Sequence, residues 1–323
     1  MQKQIAGGDR NQALDALKGV AIVGVLFVHM GFQNRFPESV MHMISSAQLW
    51  LAWCVMAFFF AAGLLTPFES IDFMIFKAYV LKRAARLLLP CIVFSLSYKI
   101  ILNIIFYTFS IGKPCYIDKG DFHSMISFVF APVGPQFYFL PYLFFISVLT
   151  VGLMLFIKDP GLMLCGVSLL CLIFYINSSI PAFACGPDFL LLPAYLLNYV
   201  LGLACRKDTP CHWIHFLIFT FCIIVMCFTK NSFFYAYYSA PLAIYLLLTF
   251  IKCPNGATFL GRKAGAIYVW HDPLILPICS ILVAKIFVST GLQVIIIMIG
   301  GIVISIALGE MTKRVTFLKY YRF

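Results

Sequence analysis

An all-α integral membrane protein, a bundle of about ten transmembrane helices with both termini cytoplasmic, is the fold class this sequence predicts. Three observations lead there. The 323 residues are 63% hydrophobic and 11% charged, with mean hydropathy +0.98, whereas a soluble domain is roughly half apolar and a quarter charged. The apolar residues gather into runs near the roughly 20 residues that cross a bilayer, at 17–33, 43–66, 87–110, 134–157, 161–178, 189–205, 212–229, 232–251, 264–288 and 291–309. These runs are too long and too continuous for the alternating strands of an outer-membrane barrel.

Charge supplies the orientation, because short cytoplasmic loops carry an excess of Lys and Arg. With the N-terminus inside, seventeen of the 23 Lys and Arg fall on the inner side, and Arg35, Lys99, Lys113, Lys119, Lys230 and Lys285 fall outside. The same bias explains the net charge of +11 as a basic rim facing anionic membrane lipids, with no nucleic-acid partner required. The first run begins with charge, as a signal peptide does, but no small-residue cleavage site follows, so it is expected to stay as the first span. A single transmembrane domain over 1–323, without a separate soluble domain, is the expected organisation. The connection at 111–133, with Lys113, Asp118, Lys119, Asp121 and His123, reads as an external cap. The 12 cysteines contain no C-x-x-C pair and mostly lie within spans as small buried hydrophobes. Cys115 and Cys185 fall in segments placed outside, where a bridge stays open.

An ionisable side chain inside a bilayer costs a few kcal/mol on insertion scales, so each one marks a candidate site. His29 follows Lys18 by eleven residues, which on a helix puts the two within about 20° of one face and roughly 16 Å apart. Asp15, three residues before Lys18, shares the cytoplasmic end of that face. His29 either bonds to a neighbouring helix or serves as a general base, since imidazole titrates near neutrality. In KRAARLLLP, Lys82 to Pro90, Arg83 and Arg86 project from one side of a helix at the inner boundary. There they are either plain positive-inside charge or a two-arginine clamp for phosphate oxygens. Pro90 should start or kink the membrane part. In AIYVWHDPLI, Ala266 to Ile275, His271 and Asp272 stand beside Trp270 and ahead of Pro273, which should break the helix ladder and expose carbonyls. Tyr268 and Trp270 equally suit an aromatic belt. Tyr138 belongs to the aromatic stretch FYFLPYLFF, Phe137 to Phe145, and Glu310 should pair with Lys313 or Arg314. No P-loop, dinucleotide-binding glycine pattern, zinc spacing or nucleophile elbow occurs, so neither a resident cofactor nor a metal is expected.

At these residues the chain resembles the acyltransferase-3 family of membrane acyltransferases, whose members begin close to LDxLRGIAIxxVVxxH. Here that reads LDALKGVAIVGVLFVH, Leu14 to His29, with Lys18 and His29 in the basic-x10-His positions. The family's R-x-x-R falls on Arg83 and Arg86, its FxxxG element on FFFAAG from Phe58 to Gly63, and its YLWHxPL element on YVWHDPL from Tyr268 to Leu274. The resemblance implies transfer of an acyl group, most often acetyl, from acyl-coenzyme A as co-substrate to a hydroxyl of a glycan or lipid-linked sugar, in a bacterial cytoplasmic membrane. It implies His29 as base, Arg83, Arg86 and Lys18 as holders of the coenzyme A phosphates, and Asp15, His271, Asp272, Tyr138 and Trp270 in support.

Two residues depart from the pattern: Lys18 replaces the commoner arginine, and Tyr138 stands where many relatives have Trp. The soluble hydrolase-like domain that some relatives add is not expected within these 323 residues. Direct transfer is the expected route, as no Ser or Cys stands out as a nucleophile paired with His29. A transporter or flippase of a glycan or small anion is the alternative, since kinked helices, a buried histidine and an arginine pair also serve proton-coupled binding. The sequence leaves open the choice between monomer and homodimer.

Overall fold

The computed structural model describes residues 11–30, 38–67, 71–109, 138–177, 191–206, 211–229, 238–286 and 290–312, and among them all regular structure is helical. In order these are α1 Gln12–Met30, α2 Glu38–Leu51, α3 Trp53–Leu64, α4 Phe73–Phe109, α5 Phe139–Leu153, α6 Pro160–Asn177, α7 Leu192–Ala204, α8 Trp213–Thr229, α9 Ala240–Phe250, α10 Asn255–Trp270, α11 Leu276–Ile286 and α12 Thr290–Thr312. A π-helical turn, His271–Ile275, joins α10 to α11. Each apolar run expected from the sequence coincides with a helix or a broken pair of helices. Among the described residues, Gln12–Met30, Ile44–Leu64, Phe73–Ile104, Pro160–Asn177 and Gly291–Thr312 are long and apolar enough to cross a membrane. The apolar helices α5, α7, α8 and α9 are shorter.

Short polar side chains start three of the helices. Asn11 Oδ1 accepts from the Leu14 N–H at 2.9 Å, Asp72 Oδ1 from Ile75 at 2.7 Å and Asp159 Oδ1 from Gly161 at 2.8 Å. Each satisfies a donor that the first turn of a helix leaves without a partner. Asn11 also donates to the Tyr245 hydroxyl at 2.8 Å, tying the start of α1 to α9.

Two details differ from expectation, the start of α4 and the place of Lys99. α4 begins at Phe73, well before the run expected at 87, and its 37 residues span about 55 Å against roughly 30 Å of hydrocarbon. Backbone hydrogen bonding is indifferent to the charges at 82–86, so the helix runs through them and on through Pro90. Within the run at 43–66, α2 and α3 meet at Ala52, whose backbone angles stay helical, so Ile44–Leu64 reads as one candidate span. Lys99, counted as an outer charge, lies buried within α4 on one stripe with buried Cys91 and Ser95, as residues four apart must. In addition, Glu310, expected beside Lys313 or Arg314, pairs with Lys263 of α10 at 2.5 Å. Cys115, Cys185, the 111–133 connection, Lys313 and Arg314 lie outside the described residues.

α1 sits at the centre, packed against α2, α3, α9, α10 and α12. Its closest crossing is with α10, and glycine makes it possible: a Cβ on Gly19 would run into the Ala257 carbonyl, and one on Gly261 into that of Asp15. A second reciprocal pair joins α3 to α7, with Gly63 against the Tyr199 carbonyl and Gly202 against that of Phe60. Where lipid removes any hydrophobic preference for helix contact, such small residues let backbones approach and gain dispersion energy. Gly63 of FFFAAG therefore has a packing role.

Candidate active site

The π-turn is the local event that builds the site. Pro273 has no N–H, so it cannot donate to the carbonyl four residues back. That carbonyl belongs to Val269, and it accepts the Tyr98 hydroxyl of α4 at 3.0 Å instead. Within the turn Asp272 adopts an extended backbone, φ −136° and ψ 147°, which separates its side chain from the helical track of His271. Trp270 is held edge-on by Phe94 at 5.7 Å and by Tyr98 at 6.1 Å, centroid to centroid. The expected helix break is thus present, and α4 braces it.

α1 delivers His29 to the same place. Its ring centroid lies 5.0 Å from that of His271, with the planes at 79°, and its Nδ1 lies 3.7 Å from Asp272 Oδ2. All three residues are buried, His271 completely. The Nδ1 of His271 is 2.9 Å from the Ile267 carbonyl; because a carbonyl only accepts, Nδ1 carries the hydrogen. A carboxylate facing Nδ1 of a histidine orients the ring and leaves Nε2 to work, which is the arrangement of a general base.

The basic residues meet around a different space. A cavity of about 390 Å³ is lined by Lys18 of α1, by Tyr79, Lys82, Arg83 and Arg86 of α4, and on its apolar side by Phe139 among others. Arg83 is the anchored one. Its Nε donates to the Tyr79 hydroxyl at 2.9 Å, its Nη2 reaches the Tyr199 hydroxyl at 3.5 Å, and its guanidinium lies 5.5 Å over the Tyr79 ring. Tyr199 in turn shares a hydrogen bond with Thr66 Oγ1 at 2.6 Å, and Arg206 donates to the Thr66 carbonyl. Lys82 and Arg86 are exposed toward the opening. Lys18 pairs with buried Asp15 at 2.9 Å, and Arg262 approaches the same carboxylate at 3.6 Å.

The sequence-predicted residues therefore divide into two groups. Lys18, Arg83 and Arg86 share the cavity with Asp15 behind them, while His29, His271 and Asp272 form a buried cluster. Rings connect the two: Phe139, on the cavity wall, packs at 5.4 Å against Tyr268, which lies 6.2 Å from His271. Tyr138 packs edge-on against Tyr142 at 5.6 Å, and Trp270 braces the turn. Tyr79, Tyr199, Thr66, Arg206 and Tyr98 were not legible as site residues. They come from α4, α7 and the segments just after α3 and α7, and no spacing in the sequence links them.

The family model of the acyltransferase domain, acyltransferase-3, matches residues 11–310. The chain belongs to that family, and membrane acyltransferase activity is what the family carries. No curated protein and no solved structure matches it.

Proposed function

We propose that the protein is a membrane O-acyltransferase that moves an acyl group, in the simplest case acetyl, from acyl-coenzyme A to a hydroxyl of a glycan or lipid-linked sugar. The observation that carries this reading is the pairing of a buried His29–Asp272–His271 cluster with a four-cation cavity, α1 contributing to both. Supporting residues are read as the family implies. The ten-span layout with cytoplasmic termini, a single domain over the whole chain and residence in a bacterial cytoplasmic membrane belong to the same proposal.

Lys82, Arg83 and Arg86 hold the diphosphate of coenzyme A by charge-assisted bonds, with Lys18 adding to the field. Arg83 serves with a fixed geometry, since its Nε is already committed to Tyr79. The pantetheine arm runs inward past Phe139 and Tyr268, a distance compatible with the roughly 16 Å that separates Lys18 from His29 along α1. Asp272 holds the His29 ring through Nδ1. His29 Nε2 takes the proton of the acceptor hydroxyl as its oxygen attacks the thioester carbonyl. The C–S bond then breaks, and the coenzyme A thiolate leaves with the proton returned by His29. General base help of this kind contributes about 10²–10⁴ in rate.

Transfer of radiolabel from acetyl-coenzyme A to lipid-linked glycans, by the purified protein in nanodiscs, tests the reading. Label in the glycan fraction is expected. Absence of both labelling and acetyl-coenzyme A binding would instead favour a transporter of glycans or small anions.

A further inference from the structure

His271 has no assigned step in that mechanism, yet it is the most completely enclosed polar side chain of the cluster, with no exposure to solvent. Its two nitrogens differ. Nδ1 donates to the Ile267 carbonyl at 2.9 Å, so in the neutral ring Nε2 is a lone pair. Among the described residues that Nε2 is buried without a hydrogen-bond partner. Buried acceptors are nearly always satisfied, because leaving one without a donor destabilises the fold. Nothing in the turn forces a histidine to be the residue that bonds Ile267, as a shorter amide or hydroxyl could do so without the second nitrogen.

We propose, on the basis of the acyltransferase reading, that His271 Nε2 accepts a hydrogen bond from a second hydroxyl of the acceptor, next to the one that His29 activates. The placement supports this. The His29 ring lies 5.0 Å away and its Nδ1 faces Asp272, so a hydroxyl held by His29 comes within a few ångströms of the neighbouring imidazole. A neutral lone pair there requires an O–H or N–H donor. An acceptor with adjacent hydroxyls supplies one; a simple alcohol does not. His271 is then the residue that reads the acceptor, as His29 is the residue that activates it.

The experiment uses the full chain in nanodiscs, acetyl-coenzyme A as donor, and propane-1,2-diol and propan-1-ol as small acceptors. The variants are His271→Asn, whose amide keeps the Nδ1 position and the bond to Ile267, and His271→Gln, which places an amide at the Nε2 position. The wild type should favour the diol at least tenfold in kcat/KM. His271→Asn should abolish that preference through the acceptor KM while leaving the KM for acetyl-coenzyme A unchanged, and His271→Gln should keep part of it. A purely structural histidine predicts the reverse order, with Asn silent and Gln damaging. Equal use of the two alcohols by the wild type, or a diol preference that survives His271→Asn, overturns the proposal, as does preference for the diol lost together with acetyl-coenzyme A affinity. Acetyl-coenzyme A binding with no transfer to either alcohol overturns it and spares the donor-site reading. No acetyl-coenzyme A binding at all overturns both.

Discussion

At the scale of single residues, the chemistry rests on which cations are committed and which are available. Arg83 is fastened to Tyr79 and Tyr199, whereas Arg86 and Lys82 stand exposed at the cavity mouth. Arg86→Ala should therefore weaken acetyl-coenzyme A binding about tenfold or more with little effect on thermal stability, since a charged hydrogen bond contributes about 1.5–3 kcal/mol. Tyr199→Phe removes a hydroxyl that links Thr66 to Arg83. Titration of that variant should show a smaller rise in Kd, abolished when Arg83 is already alanine. In the buried cluster, Asp272→Asn keeps the shape of the side chain but removes the charge facing His29. Its turnover should fall by more than tenfold while acetyl-coenzyme A still binds, and wild-type turnover would deny Asp272 its orienting role.

At the scale of elements, the site depends on one broken helix and one close crossing. Tyr98→Phe strips the Val269 carbonyl of the hydroxyl that replaces the missing Pro273 N–H, and a buried unsatisfied carbonyl costs about 1–3 kcal/mol. A lowered unfolding midpoint in detergent, with turnover reduced further because the π-turn loses its brace, is the expected result. The crossing of α1 with α10 is tested by Gly261→Ala, whose methyl meets the Asp15 carbonyl, against Gly256→Ala, whose methyl meets nothing within 4 Å. The first should destabilise by about 1–3 kcal/mol, as overpacking does, and the second should not. Equal midpoints for the pair would mean that the crossing tolerates separation. The break at His271–Ile275 was legible because proline chemistry is local to the sequence. The Tyr98 brace was not, because the hydroxyl that answers Val269 comes from a helix far away in the chain.

At the scale of the whole molecule, the apolar runs located the helices because hydrocarbon demands internal hydrogen bonding from every segment it holds. The apolar run at 87–110 covers only the later part of α4, because the helix itself continues back through Lys82–Arg86 to Phe73. Counting charge by loops misplaced Lys99, since such a count cannot see a lysine buried along a helix stripe. Motif spacing identified His29, His271 and Asp272 separately, and only the folded bundle brings them within 5.0 Å and 3.7 Å of one another. The division into a cationic cavity and a buried pair of imidazoles beside Asp272 was not legible in any one stretch. It has a bulk consequence: acetyl-coenzyme A affinity should fall as salt rises from about 0.05 to 0.5 M, because exposed charges are screened, while the turnover of bound donor should not.

Phosphate holding and proton transfer are assigned to separate groups of residues, the first mainly on α4 and the second on α1 and the turn after α10, with α1 reaching both. This assignment is tested most directly by measuring the acetyl-coenzyme A Kd and single-turnover acetyl transfer on one set of proteins in nanodiscs: wild type, His29→Ala and Lys82→Ala/Arg86→Ala. His29→Ala should bind as the wild type does and transfer about 10²–10⁴ times more slowly, and the double variant should bind at least tenfold more weakly. Wild-type transfer by His29→Ala, or an unchanged Kd in the double variant, would contradict it.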